Sequence, residues 1–482
     1  MKTHLPRSYR TLTSAAAVMA LSACSILMPP TQVSVEVAPQ WEAPLPHQGT
    51  VSALSEWWQQ QGDPVLAELV VAAQGTSPNV AAALARLEAS RASQVSAQAA
   101  LLPKVDASVN ASRGVSQPNV PVATVLSSGF QASWELDLVG ANRAVNKAAL
   151  AQLEGTQAQW HEARVAVAAE VANTYYGLSA CQQLLNVARQ DAASRAETAR
   201  LAELSAKAGF TAPSMAALAR ASAADGNSRV TQQTAACDLN VKALVALTAL
   251  PEPTLRKKLQ PLSAQAVQAA PIAIASVPAQ TLTQRPDVYA AEREVVVASA
   301  QVGSAKAQRY PRLTLDGNLG TLSYTSRGTD TSLQTWSFGP LALKLPVFDA
   351  GQRKANVLAA EAAYEQAVAA YRGKVRQAVR EVEEALVNLQ STDARRLDAE
   401  TATRGYAESM AATEARYQQG LASLMELEDA RRMALGSRSA QLNLQGERNR
   451  AWVSLYRALG GGWDPAAAVP ASSVATSARA AR

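Results

Sequence analysis

Aromatic residues are scarce in this chain: Phe, Trp and Tyr make up 5% of its 482 residues. A compact globular core usually recruits more Phe and Trp. Hydrophobic residues still reach 48%, so alanine supplies much of the apolar count. Small side chains let helices pack closely over long distances, which predicts elongated helices. Histidine is equally sparse. His4, His47 and His161 are scattered along the chain and offer no metal-ligating cluster. No Ser-His-Asp or Cys-His pairing has supporting sequence context, so neither enzyme activity nor a cofactor is expected. The GGG at 460–462 lacks a preceding strand and a following Lys-Ser/Thr, and reads as helix termination rather than a phosphate loop. After residue 24 there is no run of 18 apolar residues, so any membrane crossing must be made by strands. Without Lys2, Arg7 and Arg10, 42 basic residues face 39 acidic ones. That excess is too weak for a nucleic-acid partner.

What is present begins at the N-terminus. Lys2, Arg7 and Arg10 precede the apolar TLTSAAAVMALSA, the outline of a secretory signal peptide over residues 1–23. The apolar stretch is about half the ~20 residues a membrane helix needs. Leu21-Ser22-Ala23-Cys24 resembles a bacterial lipobox. The resemblance implies cleavage before Cys24, S-diacylglycerol on its thiol and an N-acyl group on the new amino terminus. Ser25 stands where an inner-membrane retention signal would place Asp, so the implied address is the periplasmic face of the outer membrane. The alternative is an ordinary signal peptide beside an incidental cysteine.

The sequence then repeats itself. SPNVAAALARLEASRASQVSAQAALLPKVDASV recurs as RPDVYAAEREVVVASAQVGSAKAQRYPRLTLDG, aligning Pro78 with Pro286 and Pro103 with Pro311 at an offset of 208. Asp137 and Arg143 correspond to Asp349 and Arg353, and Gly209 to Gly420 at an offset of 211. The organisation read from this duplication is an acylated N-terminal segment and equatorial region at 24–77, a first repeat at 78–250 and a linker at 251–285. A second repeat at 286–460 and a tail at 461–482 follow.

Each repeat predicts a short helix, two strands, a long helix and a return helix. Pro103 stops the first helix, predicted over 78–102. Val105, Ala107, Val109 and Ala111 alternate as in a strand, as do Phe130, Ala132, Trp134, Leu136 and Leu138. SRGVSQPNVPVATV between them reads as a loop. In the second repeat RLTLDGNLG and WSFGPLALKLPVF are the strands, and YTSRGTDTS reads as the loop. Strands of about ten residues suit a tilted bilayer crossing. Four cannot close a barrel alone, and open edges are not tolerated in lipid, so copies must share one barrel. The long helices, 143–207 and 353–417, would each reach about 100 Å. Val375, Val379, Val382, Leu386 and Leu389 mark a coiled-coil seam, matched by Val171, Thr174, Leu178, Cys181 and Leu185. Cys181 and Cys237 are equidistant from Gly209, the predicted turn, so they lie abreast in the hairpin. A disulfide is expected in an oxidising compartment, with two buried free thiols as the alternative.

RPDVYAAE (285–292), the Tyr-Pro and Leu-Pro pairs before strands, FDAGQR (348–353), RYQQGLASLMELEDARR (416–432) and ALGGGW (458–463) together resemble the outer-membrane efflux protein family of TolC-like and OprM-like ducts. The resemblance spans the mature chain in order. It implies an α+β membrane protein, a homotrimer whose 12-stranded β-barrel continues into a periplasmic α-helical barrel. It also implies a lipid-anchored outer-membrane address, a periplasmic adaptor, and an inner-membrane pump of the RND type. The implied role is a passive exit duct for small molecules such as drugs. A type I polypeptide duct and a noncatalytic scaffold lipoprotein remain as alternatives. Ala208-Gly209-Phe210 and Gln419-Gly420-Leu421 resemble the turns that meet adaptor tips in that family, although each glycine could serve the turn alone. The family pattern places the periplasmic gate at Met425, Asp429 and Arg432, against a plain solvated helix face. The first copy has Leu218 where Asp429 would align, so the charged gate is assigned to the second turn.

Overall fold

The computed structural model describes residues 26–35, 41–43, 57–60, 63–115, 121–263, 268–269, 271–272, 282 and 285–463. Cys24 lies outside the described residues. After one helical turn at Trp57–Gln60 come α1 (Pro64–Thr76), α2 (Pro78–Ala99), β1 (Lys104–Gly114) and β2 (Ala123–Leu136). Then follow α3 (Ala141–Lys207), α4 (Pro213–Thr248), α5 (Glu252–Leu259) and α6 (Pro286–Ala307). The chain continues through β3 (Arg312–Ser326), β4 (Thr329–Lys344), α7 (Gln352–Gln418) and α8 (Leu424–Ala458). Among the described residues no helix is long and apolar enough to cross a membrane.

The two compact units are not the two sequence copies. One draws on Met1–Val35, Ala85–Gln157 and Tyr289–Gly373, the other on Glu36–Leu84, Ala158–Val288 and Lys374–Arg482. Each takes segments from both repeats, because strands of the first copy pair with strands of the second.

The first unit carries an antiparallel sheet in the order β1-β2-β3-β4. Its register aligns Leu136 with Leu313 and Leu343, and Trp134 with Leu315 and Leu341. Two rows further on, Phe130 stands beside Leu319 and Trp336. These apolar side chains share one face, and Trp336 is 78% exposed. In β4 the spacing from Phe338 to Leu341 breaks the period of two. A bulge at Gly339-Pro340 opposite Asp316 absorbs the extra residue and keeps both on the same face. The segment YTSRGTDTS is not a loop. β3 and β4 run through it and reverse at Arg327-Gly328, with φ of 53° and 81°, the two positive values a tight I′ hairpin requires. Helix α2 ends at Ala99, three residues before the sequence-predicted limit, and Leu101 and Leu102 form turn bonds ahead of Pro103. Within this unit, residues 28–33 lie as a strap on α6 and α7. Ser299 Oγ donates to Pro29 O at 2.7 Å, Tyr364 OH donates to Pro30 O at 2.8 Å, and Val33 packs on the cluster around Val302 and Val368.

The second unit gathers most of the scarce aromatics. Trp57 stacks on Tyr456 at 5.0 Å and Trp58 meets its edge at 4.6 Å, while Trp452, Tyr175 and Tyr176 are fully buried nearby. Asp63 caps α1 by accepting from Val65 N and Leu66 N, and it also receives the Tyr175 hydroxyl. The seam residues Val375, Val382, Leu386 and Leu389 are buried, as are Val171, Leu178 and Leu185. A disulfide joins Cys181 and Cys237 across α3 and α4, with Cα atoms 5.5 Å apart.

Candidate functional site

The site is built from the two helix turns of the second unit. Both turns end a long helix in the same way: Gly209 has φ +81° and Gly420 has φ +74°. The amide after each glycine reaches back five residues, Phe210 N to Ser205 O at 2.9 Å and Leu421 N to Arg416 O at 2.8 Å. That is a Schellman closure, and the left-handed glycine permits it. The apolar residue that follows is left in solvent, with Phe210 85% and Leu421 65% exposed.

Beyond the turns the two copies differ. Helix α4 starts at Ala212-Pro213 with no side-chain cap. Helix α8 starts with a capping box, in which Ser423 Oγ accepts from Glu426 N and Glu426 accepts from Ser423 N. The backbone N–H of Ser423 holds the Glu426 carboxyl below its usual range. Arg416 Nη2 donates to Leu421 O at 3.0 Å, tying the second turn further.

One turn into α8, Met425, Asp429 and Arg432 fall on one exposed face, and Arg432 is paired to Asp429 within the chain. Leu218, the aligned residue in α4, is partly exposed and carries no charge. The neighbouring face holds a network that the sequence reading passed over. Arg195 and Arg431 are buried at 6% and 4% exposure. Arg195 donates to Asp191 at 2.8 Å and to Glu428 at 2.6 Å, and Ser222 Oγ donates to the same Glu428 oxygen at 2.6 Å. Arg431 donates to Thr198 at 2.8 Å, to the other Glu428 oxygen at 3.1 Å and to Glu414 at 3.2 Å. Glu428 thus lies between two guanidinium groups, and the network touches α3, α4, α7 and α8. Leu424 and Leu427 pack beside it with Ala199, Ala202 and Ala219. The available signal was phase: Arg431 continues the spacing of Leu424 and Leu427, whereas Asp429 and Arg432 do not.

Arg285 and Asp287, which open the motif at 285–292, have a different task in the same unit. Arg285 is buried and donates to Ala458 O at 2.7 Å, to Glu381 at 2.8 Å and to Asp287, fixing the start of α6 against the end of α8. Burial raises the Asp287 carboxyl, but hydrogen bonds and charge from Arg285, with the charge of Lys374, outweigh it and leave the group below its ordinary value. Burial first, then the charge of Asp287, pushes Glu162 upward. His161 is lowered to about 4 by burial and by Arg164. Arg285 faces Asp287 and Glu381, and Lys374 faces Asp287, so these four charges are structural in geometry.

Comparisons with known proteins follow the same outline. The family described as outer membrane efflux protein matches residues 69–250 and 277–461. Outer membrane protein OprJ of Pseudomonas aeruginosa is 30% identical over 467 residues, covering 92% of this chain and 94% of its own. The toluene efflux pump outer membrane protein TtgI of Pseudomonas putida is 28% identical over 461 residues, covering 93% and 97%. The solved outer-membrane channel OprN superposes with a TM-score of 0.80 at 27% identity, covering 91% of this chain and 99% of that one.

Proposed function

Because the chain belongs to the outer membrane efflux protein family and is an outer-membrane efflux channel, we propose that three copies close one barrel and serve as the passive exit duct of a tripartite pump. The observation that carries this reading is the sheet. It has an exposed apolar face and two free edges, β1 and β4, and a free edge is not tolerated in hydrocarbon. Pairing β1 of one copy with β4 of the next removes every edge. In this reading Cys24 carries the acyl groups that tether each copy to the inner leaflet, and no further prosthetic group or catalytic step is involved. Energy comes from an inner-membrane pump of the RND type through a periplasmic adaptor. The exposed Phe210 and Leu421, beside Gly209 and Gly420, form the adaptor-docking surface together with Ala208 and Gln419. Relatives named for toluene, solvent and antibiotic efflux support small apolar or amphipathic cargo.

The gate is assigned to the exposed face of α8. Threefold symmetry turns Met425 into a narrow ring, with Asp429 and Arg432 pairing within and between copies. Exposed pairs are individually weak, at most about 1 kcal/mol, so an adaptor can open them. Purified protein in planar bilayers tests both parts. The parent should show small discrete conductances, and Asp429→Ala with Arg432→Ala should raise them while native gels still show trimers. Unchanged conductance with trimers intact would remove the gate assignment. Absence of any conductance would favour a scaffold.

A further inference from the structure

One face of the sheet changes character abruptly along the strands. Three successive rows near the helices hold Trp134, Leu315 and Leu341, then Val105, Ala132, Gly317 and Phe338, then Ala107, Phe130, Leu319 and Trp336. None of these side chains is a hydroxyl, an amide or a charge. The exposed Leu345, Val347 and Phe348 continue the apolar surface past the end of β4. From Trp336 to Val347 is about ten steps once the bulge is allowed for, or about 25 Å of height at a strand tilt near 40°, the apolar band of a membrane barrel. On the same face the next row out holds Val109, Ser128, Thr321 and Gln334. Ala111, Leu126, Ser323 and Ser332 follow, and then Arg113, Thr124, Thr325 and Asp330. Nine of these twelve side chains are polar, so the hydrocarbon ends between Trp336 and Gln334. The polar rows then rise about 15 Å beyond it. A phospholipid headgroup layer is only about 6 Å deep.

At that boundary lies a depression of about 450 Å³. Seven of the ten residues around it belong to the two rows that meet there, with Phe130 and Leu319 on the apolar side and Ser128, Thr321 and Gln334 on the polar side. The other three, Ser108, Gly129 and Gly320, form the row between, whose side-chain positions point to the opposite face, so backbone makes the floor. A Cβ on Gly129 would fall 2.6 Å from Leu319 O, and one on Gly320 would fall 2.6 Å from Ser128 O. Backbones come this close on one side only where the sheet is creased toward that side, so in a closed barrel the depression is on the convex, lipid-facing side. It lies over β2 and β3, the inner strands, and closure through β1 and β4 leaves it open. Its walls carry no charge, so a phosphate finds no cation there. Ser128 Oγ and Thr321 Oγ1 share one hydrogen bond at 3.1 Å, which leaves a second O–H donor and spare lone pairs for a ligand. Gln334 adds a carboxamide.

We propose that this depression seats one glycolipid of the outer leaflet on each copy, an acyl chain lying on Phe130 and Leu319 and the sugar's hydroxyl and amide groups meeting Ser128, Thr321 and Gln334. The proposal rests on the closure of three sheets into one barrel, which puts the hairpin ends on the side of the membrane away from the helices. A saccharide layer fits the height of the polar rows above the band, and an uncharged polar wall fits sugar groups rather than a phosphodiester.

The test uses the full-length protein in neutral detergent, titrated with lipid A, a diglucosamine glycolipid with amide-linked hydroxyacyl chains, or with phosphatidylethanolamine. Native mass spectrometry counts the lipid retained. The parent trimer should keep one lipid A per copy under conditions that strip phosphatidylethanolamine. Ser128→Phe, which fills the depression, should lower lipid A retention several-fold, whereas Ser332→Phe, on the same face but outside the depression, should leave it unchanged. Ser128→Ala with Thr321→Val keeps the shape of the strands and removes the hydroxyls. It should also lower retention several-fold, and it decides the matter if Ser128→Phe does not assemble. Equal retention by the parent and these variants would overturn the site, and phosphatidylethanolamine held as firmly as lipid A would reduce it to general lipid contact and overturn the selection. If instead the barrel reading fails, the parent itself gives no trimer in the native spectrum.

Discussion

The hairpin of α3 and α4 and the hairpin of α7 and α8 descend from one unit, yet they are fastened by different chemistry. Where the first has the Cys181–Cys237 disulfide, the second, 211 residues on, has Thr392 and Arg448. Thr392 bonds within its own helix, and Arg448 donates to Asp393 at 2.8 Å. Where Gly226 lets α4 approach Ala192, with a Cβ only 3.1 Å from its Cα, the second hairpin sets Thr403 Oγ1 on Ser437 O at 3.2 Å. At the turns the uncapped Ala212 corresponds to the capping box of Ser423 and Glu426. Duplication kept the geometry and exchanged covalent and apolar fastening for polar fastening. Polar contacts are replaceable by water or by a partner's groups, and a covalent bond is not. The second hairpin is thus held by contacts that can be exchanged, and it carries the exposed Asp429–Arg432 pair.

The largest test of this contrast is the buried network that joins the hairpins. Arg431→Ala leaves Glu428 and Glu414 short of a cation and should cost about 3–5 kcal/mol. Hydrogen exchange should report the loss as earlier opening of α8, whereas Arg432→Ala one residue on should leave exchange nearly unchanged. Next comes the covalent fastening. Reduction, or Cys181→Ser with Cys237→Ser, should lower stability by about 2–4 kcal/mol in denaturant, with added exchange confined to α3 and α4. If α7 and α8 loosen equally, the two hairpins are not separately fastened. The smallest effect is at the caps. Ser423→Ala should cost about 1 kcal/mol, and Ala212→Ser should stabilise α4 by a similar amount, both readable as shifts in midpoint.

These contrasts were only partly legible in the sequence. Pro103 and Pro311 announced the strands, and Gly209 and Gly420 announced the turns, because local backbone constraints act alone. The Arg327-Gly328 hairpin was hidden because its flanking strands are polar on one face and so resemble a loop. Arg431 was hidden because a buried guanidinium and a solvated one are the same letter, and only the phase of Leu424 and Leu427 tells them apart. Met425, Asp429 and Arg432 were legible as one face, since spacings of four and three fix that without tertiary context. The compact units were not legible, because a repeat shows what is duplicated and not which strands will pair.

That pairing sets the order in which the molecule is made. Ala123 on β2 meets Ser326 on β3, so the central seam of the sheet waits for about two hundred intervening residues. A chain secreted from its N-terminus delivers β1 and β2 first, as a hairpin whose outer edge has no partner and whose leucines and aromatics have no lipid. Such edges recruit wrong strands, and distant pairings form slowly. Assembly is therefore timed by the last half of the chain to arrive, and until then the early hairpin keeps its edge and its apolar face without their final partners.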